Sequence, residues 1–144
     1  MSEKPATGET TPVTDALVQV SFAVLDVLNR SAAELDLSLT QLRLIGILRD
    51  RSPNMAALAE FLGLDRSSVS GLIDRAERRD LVVRRPSTDD ARVTLIDLSP
   101  AGRKVGERIG ELVNARMDEL LNGIPVGDRD QIVRIAQRVL ASDT

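Results

Sequence analysis

Apolar residues recur along this chain with a helical period almost from end to end, and the period breaks only once. Val13, Leu17, Val20, Val24 and Val27 follow one another at alternating steps of four and three. This heptad-like stripe predicts a long first helix, fading by Asp36, that packs along another helix. A second helix is expected from a Thr40 cap to Asp50, with Leu44, Ile45, Ile47 and Leu48 inward. After the breaker "DRSPN", Asn54 is placed to cap a short third helix whose Met55, Leu58, Ala59 and Leu62 share one face. Gly63 is placed to end it in the left-handed conformation. Asp65 then caps a fourth helix, with Val69, Leu72, Ile73 and Ala76 on its buried side.

Beyond Asp80 the pattern turns β-branched and extended. Leu81–Pro86 and Ala91–Leu98, joined through "STDD", predict a two-stranded hairpin. Ser99-Pro100 is a strong helix start, Ser at the N-cap and Pro in the first turn. The fifth helix should run to about Asn122, where Gly123 and Pro125 stop it. A sixth is expected over Asp128–Ala141, with Ile132, Ile135, Ala136 and Val139 inward. The fold class is therefore mainly α with a small β-hairpin wing. Two helices joined by a tight glycine turn and followed by a hairpin describe a winged helix-turn-helix. Residues 1–12 read as a disordered polar tail, 13–36 and 99–144 as a helical dimerisation region, and 37–98 as the DNA-binding lobe.

Composition narrows the chemistry. The 144 residues are 42% hydrophobic and 28% charged, with two Phe and no Trp, Tyr, His or Cys. Disulfides, thiol chemistry and the usual zinc, iron or copper ligand sets are excluded, so no metal or cofactor is expected. No phosphate loop, dinucleotide fingerprint or nucleophile elbow appears, and Ser67, Ser68 and Ser70 have no His to activate them. The chain does not read as an enzyme. Uninterrupted apolar runs look too short for a bilayer, and the polar N-terminus has no signal-peptide core, so a cytoplasmic protein with no membrane partner is expected.

Charge is unevenly spread. The net charge is −3, yet between Arg66 and Arg92 seven arginines stand against five acids, a local +2 that leaves −5 for the rest. On the fourth helix the face opposite the apolar side carries Ser67, Ser70, Gly71, Asp74, Arg75 and Arg78. Small residues let a helix enter a major groove, and hydroxyls and arginines reach base edges or phosphates. The first-turn N–H groups also favour a phosphate. The candidate DNA-binding set is Arg66, Ser67, Ser68, Ser70, Gly71, Arg75, Arg78, Arg84, Arg85 and Arg92. Asp89 or Asp90 supports the wing by pairing with Arg92. A solvated helix and an exposed hairpin ion pair are the competing readings. A winged-helix module for protein–protein contacts, without DNA, is the alternative function.

The segments "SLTQLRLIGIL" (38–48), "MAALAEFLGLDRSSVSGLIDRAERRDLVVRRP" (55–86) and "DDARVTLIDLSPAGRKV" (89–105) resemble the MarR family of bacterial transcription regulators. The wing lacks the second arginine of that pattern, having Ala91. The resemblance implies an intertwined homodimer whose first and last helices interlock and whose winged lobes bind pseudo-palindromic operator DNA, most often as a repressor. The apolar stripes at both ends support pairing: Leu17, Val20, Val24, Val105, Ile109, Leu112, Leu120, Ile132, Ile135 and Val139 are the candidate dimerisation residues. Gly102, Gly106 and Gly110, four apart, suggest close approach by another helix, or are incidental. The resemblance also implies a small-molecule effector in a crevice between the two regions. Phe22, Arg43 and Arg49 are its candidate lining residues, with a core position as the competing place for Phe22. The expected partners are thus double-stranded DNA, a second copy and an effector.

Overall fold

A computed structural model describes residues 8–143. Most of the tail expected over residues 1–12 lies outside that range, and its last residue is already helical: Thr11 caps Thr14 N–H, and Pro12 opens α1 (Pro12–Glu34). α2 (Leu39–Leu48), α3 (Met55–Leu62) and α4 (Arg66–Arg78) follow, then β1 (Val82–Pro86), β2 (Thr94–Leu98), α5 (Pro100–Leu120) and α6 (Val126–Ala141). The order is that of a winged helix-turn-helix with flanking helices.

Local chemistry explains most boundaries. Asn54, Asp65 and Ser99 each accept an N–H three residues on, and Gly63 takes φ 64° at the end of α3. The cap of α2 is Ser38, not Thr40. Ser38 accepts from Gln41 N–H while the Gln41 side chain accepts from Ser38 N–H, a reciprocal pair that Thr40 has no partner to form. α6 begins at Val126 because Pro125 supplies an extended cap residue. β2 is shorter than expected, since Ala91, Arg92 and Val93 belong to the turn, where Val93 N–H donates to Asp90 O at 2.9 Å.

The hairpin is antiparallel, Val82 opposite Leu98 and Pro86 opposite Thr94. A third short rung, unforeseen, pairs Asn54 with Leu95, and Ile96 N–H donates to Pro53 O at 2.9 Å. Leu44, Leu58, Val69, Ile73 and Ile96 lie at the centre of one core, which Leu98 and Ile109 extend. Ile47 is only half-buried.

Two close approaches join the lobe to α5. A Cβ on Gly102 would lie 1.9 Å from Leu81 O, so glycine is required where the helix start meets the backbone before β1. A Cβ on Gly106 would lie 3.2 Å from Ile45 Cγ2, whereas one on Gly110 would meet nothing. Gly102 thus fits α5 against a loop of its own lobe and Gly106 fits it against α2, while Gly110 is incidental to both approaches. Val105 and Ile109, expected at a dimer interface, pack into the same lobe's core. Arg116 donates to the buried Ser31 Oγ at 3.0 Å and pairs with Glu34 at 2.7 Å, tying α5 to α1.

The two ends remain bare. Leu17, Val20 and Phe22 on α1, Leu120 on α5, and Ile132, Ile135 and Val139 on α6 are exposed. Val24 and Leu112 are half-buried. The expectation that α6 turns Ile132, Ile135, Ala136 and Val139 inward is corrected: no residue of α6 is buried, because nothing in the single chain covers it. One further expectation changes. Over an 18-residue window α1 has mean hydropathy 1.2, long and apolar enough by length and composition to cross a membrane. Counting uninterrupted runs missed this, because polar residues interrupt the run without lowering the average below that level.

Candidate nucleic-acid interface

α4 has two unlike faces. Val69, Leu72, Ile73 and Ala76 are buried, while Arg66, Ser67, Ser68, Ser70, Asp74, Arg75 and Arg78 face solvent and Gly71 is half-buried. Burial of the first set fixes the helix on the lobe, so the second set is presented outward by default. The Arg75 guanidinium lies back over Gly71, where an added Cβ would come within 3.2 Å of its Nη1. Among the described residues Arg66, Arg75 and Arg78 make no ion pair.

The first turn is more occupied than its sequence suggests. Asp65 accepts from Ser68 N–H at 2.8 Å, from Ser67 Oγ–H at 2.6 Å and from Ser68 Oγ–H at 3.0 Å. The Ser67 hydroxyl, then the Ser68 N–H and hydroxyl, hold the Asp65 carboxyl down to about 2. A permanent carboxylate therefore stands where a phosphate was expected. With their protons given to Asp65, Ser67 and Ser68 keep acceptor lone pairs, which suit base amino groups rather than phosphates. Ser70 makes no such bond.

Beside this turn runs a groove of about 650 Å³ between α4 and the start of α2, lined by Ser38, Thr40, Gln41, Ser67, Gly71 and Arg75. The α2 residues were not among those singled out from the sequence. The polar start "SLTQ" is the available signal in the sequence.

At the hairpin tip Asp90 holds Arg92 by three bonds, from its N–H, Nε and Nη2, each 3.1 Å. The Arg92 side-chain bond, then its backbone N–H, lowers the Asp90 carboxyl below its ordinary value. The Arg92 guanidinium is held by Asp90 alone among the described residues, and its side chain stays 90% exposed. Asp89 takes no part in this: its N–H donates to Ser87 Oγ at 3.3 Å.

Arg84 and Arg85 depart from the expected cationic strand. Arg84 pairs with Asp74 at 2.7 Å and Glu77 at 2.8 Å. Arg85 pairs with Asp97, which also accepts from Ser52. Burial opposes ionisation of Asp97, but the Ser52 hydroxyl and the Arg85 guanidinium more than offset it and lower its carboxyl. These partners depend on which face of β1 each arginine occupies, which the order of residues alone does not show. Arg79, on the far end of α4, donates to Asp36 O at 2.6 Å and Leu35 O at 3.3 Å, anchoring α4 to the α1–α2 turn.

The three crevice candidates separate. A cleft of about 500 Å³ opens between α1, α2 and α5, and of the three only Arg49 lines it, with Leu28, Leu42, Arg103, Glu107 and Asn114. Arg43 donates to Phe61 O at 2.9 Å, closing the end of α3. Phe22 is 63% exposed, neither in the cleft nor in the core. Among the described residues no group of three or more Asp or Glu is placed to hold a metal ion.

Comparisons with known proteins agree with this architecture. The MarR family pattern matches residues 35–93. The HTH-type transcriptional regulator FarR of Neisseria gonorrhoeae is 26% identical over 117 residues, 81% of this chain and 80% of FarR. The HTH-type transcriptional repressor NicR of Pseudomonas putida is 21% identical over 118 residues, 81% of this chain and 75% of NicR. Among solved structures, CouR from Rhodococcus jostii RHA1 bound to p-coumaroyl-CoA superposes with a TM-score of 0.75 at 26% identity, across 89% of this chain and 91% of CouR.

Proposed function

We propose that this chain, whose residues 35–93 match the MarR family pattern, is a MarR-family transcription regulator, a cytoplasmic repressor that binds pseudo-palindromic operator DNA as a homodimer. The observation that carries the proposal is α4 itself: its apolar side is sealed into the core while Arg66, Ser70, Arg75 and Arg78 face solvent, the three arginines without an ion pair among the described residues. In this reading α4 lies in the major groove, with the serine-lined first turn against base edges and the arginines on guanines or phosphates. Arg92, aimed by Asp90, enters the neighbouring minor groove.

One copy is a weak binder by charge alone, because the Arg66–Arg92 segment is only +2 on a chain of −3. Pairing supplies the second half-site. The bare stripes of α1 and α6, with Leu17, Val20, Ile132, Ile135 and Val139 exposed, are the surfaces a second copy covers. Residues 13–36 and 99–144 form the dimerisation region in this proposal, and 37–98 the DNA-binding lobe, with Val105 and Ile109 reassigned to the lobe's core.

An effector fits the α1–α2–α5 cleft. Leu28 and Leu42 suit an apolar body, and Arg49 and Arg103 an anionic group. Its occupation would shift the lobe relative to α1 and α5 and so release DNA.

Selection of duplexes from a randomised pool tests the proposal. The expected product is an inverted repeat bound by a dimer. Recovery of no common sequence would overturn it.

A further inference from the structure

Alternation along β1 puts Val82 and Arg84 on one face of the hairpin and Val83 and Arg85 on the other. Val82 is buried, and so are the residues opposite Val82 and Arg84 across the ladder, Leu98 and Ile96. The Arg84 face is therefore the one that closes on the lobe, and it meets α4. There Asp74 and Glu77 stand three residues apart, on adjacent turns of one side. Arg84 Nη2 reaches Asp74 at 2.7 Å and Nε reaches Glu77 at 2.8 Å. A rigid planar fork can hold two carboxylates in fixed directions at once, which a single ammonium cannot. These are the only ion pairs that join α4 to the hairpin among the described residues.

We propose that Arg84 is a positioning residue for DNA binding: it clamps the wing to the recognition helix through Asp74 and Glu77, and it is not itself a phosphate contact. The proposal rests on the DNA-binding reading and revises one residue of it. One guanidinium between two carboxylates leaves this spot at −1, so a phosphate would meet a net negative charge and two rivals already in place. The clamp has a purpose the fold makes plain. A two-stranded hairpin is marginal alone, and its tip bears Arg92, which must reach one groove while α4 occupies the next. The buried Val82, Ile96 and Leu98 and the rung to Asn54 hold the base of the hairpin, and the fork adds the restraint that directs its tip, and so Arg92, relative to α4.

The experiment compares DNA affinity across salt concentrations for the full-length protein and Arg84→Met, which retains the aliphatic stem and removes the fork. A duplex selected by the wild-type protein is the probe. The clamp predicts a loss of about three- to tenfold, the scale of two partly exposed ion pairs, at every salt concentration, with the slope of log affinity against log salt unchanged. A phosphate contact predicts a slope smaller by about 0.9 for each copy bound, and that result overturns the proposal. A second test repeats the substitution in an Asp74→Asn, Glu77→Gln background. There Arg84→Met costs nothing further if the three act together; an undiminished loss overturns the proposal. Amide exchange of residues 83–95 without DNA tests the clamp separately from the DNA-binding reading. Faster exchange in Arg84→Met supports it and unchanged exchange refutes it, even should the wild-type protein select no duplex.

Discussion

Replacing Gly102 by alanine adds one methyl group, and the structure leaves it no room. The new Cβ would lie 1.9 Å from Leu81 O and 2.8 Å from Leu81 C, both backbone atoms that cannot rotate away. Relief requires the start of α5 to move off the segment before β1. That movement strains a local knot: Ser99 N–H donates to Leu81 O at 3.0 Å, Ser99 Oγ–H to Asp80 O at 2.5 Å, and Gly102 N–H to Ser99 Oγ at 2.9 Å. Overpacking a filled site costs about 1–3 kcal/mol, and each buried hydrogen bond disturbed adds about 0.5–1.5 kcal/mol. The better helix propensity of alanine returns less than about 1 kcal/mol. The net expectation is a loss of about 2–4 kcal/mol, or about 10 °C in Tm for a domain of this size. Urea and thermal unfolding at fixed protein concentration measure it, since dimerisation makes Tm concentration-dependent. Gly110→Ala is the control. Its Cβ meets nothing, and it should gain up to about 1 kcal/mol. A Gly102→Ala variant as stable as the wild type would refute the close approach on which the joint between lobe and α5 rests.

Three further outcomes are expected. Arg92→Ala should weaken DNA binding about tenfold with Tm unchanged, because its side chain is 90% exposed and touches only Asp90; fluorescence anisotropy measures it, and an equal affinity would show the wing arginine idle. Ile135→Asp, which places a charge in the exposed stripe of α6, should turn the dimer to monomer in sedimentation equilibrium at micromolar concentration, whereas an unaltered mass would put the interface elsewhere. Asp65 has its folded pKa depressed to about 2 from 3.8, so its stabilisation is present above pH ~4 and is lost as pH falls toward 2. Tm measured from pH 6 down to 2 should therefore fall less steeply in Asp65→Asn than in the wild type, and parallel curves would show that the cap does not titrate as described.

What could be read from the sequence divides by the range of the interaction. Asn54, Asp65 and Ser99 act on an N–H three residues away, and Gly63 on its own backbone, so their roles were legible in a few letters. The buried face of α4 followed from its period alone. The cap of α2 is legible too, since Ser38 has the reciprocal partner Gln41 three residues on and Thr40 has none. The arginines of β1 are another matter. Which carboxylate each meets depends on strand face and on packing against α4, neither of which composition shows. The spacing of the α5 glycines leaves a partner helix and an incidental placement both open, because the neighbour of Gly102, Leu81, is distant in sequence. Arg43 bonds Phe61 O across the lobe rather than lining the crevice, a partner that spacing along the chain does not show. Periodicity shows that α6 has an apolar stripe but not what covers it, and in the single chain the stripe is bare.

The central claim is that two copies, paired through α1 and α6, place two α4 helices in successive major grooves. Hydroxyl-radical footprinting on a selected duplex tests it most directly. The account predicts two protected patches about one helical turn apart, ~10 base pairs centre to centre and related by a twofold axis, each flanked by minor-groove protection from Arg92. A single patch, or protection spread evenly along the duplex, would contradict it.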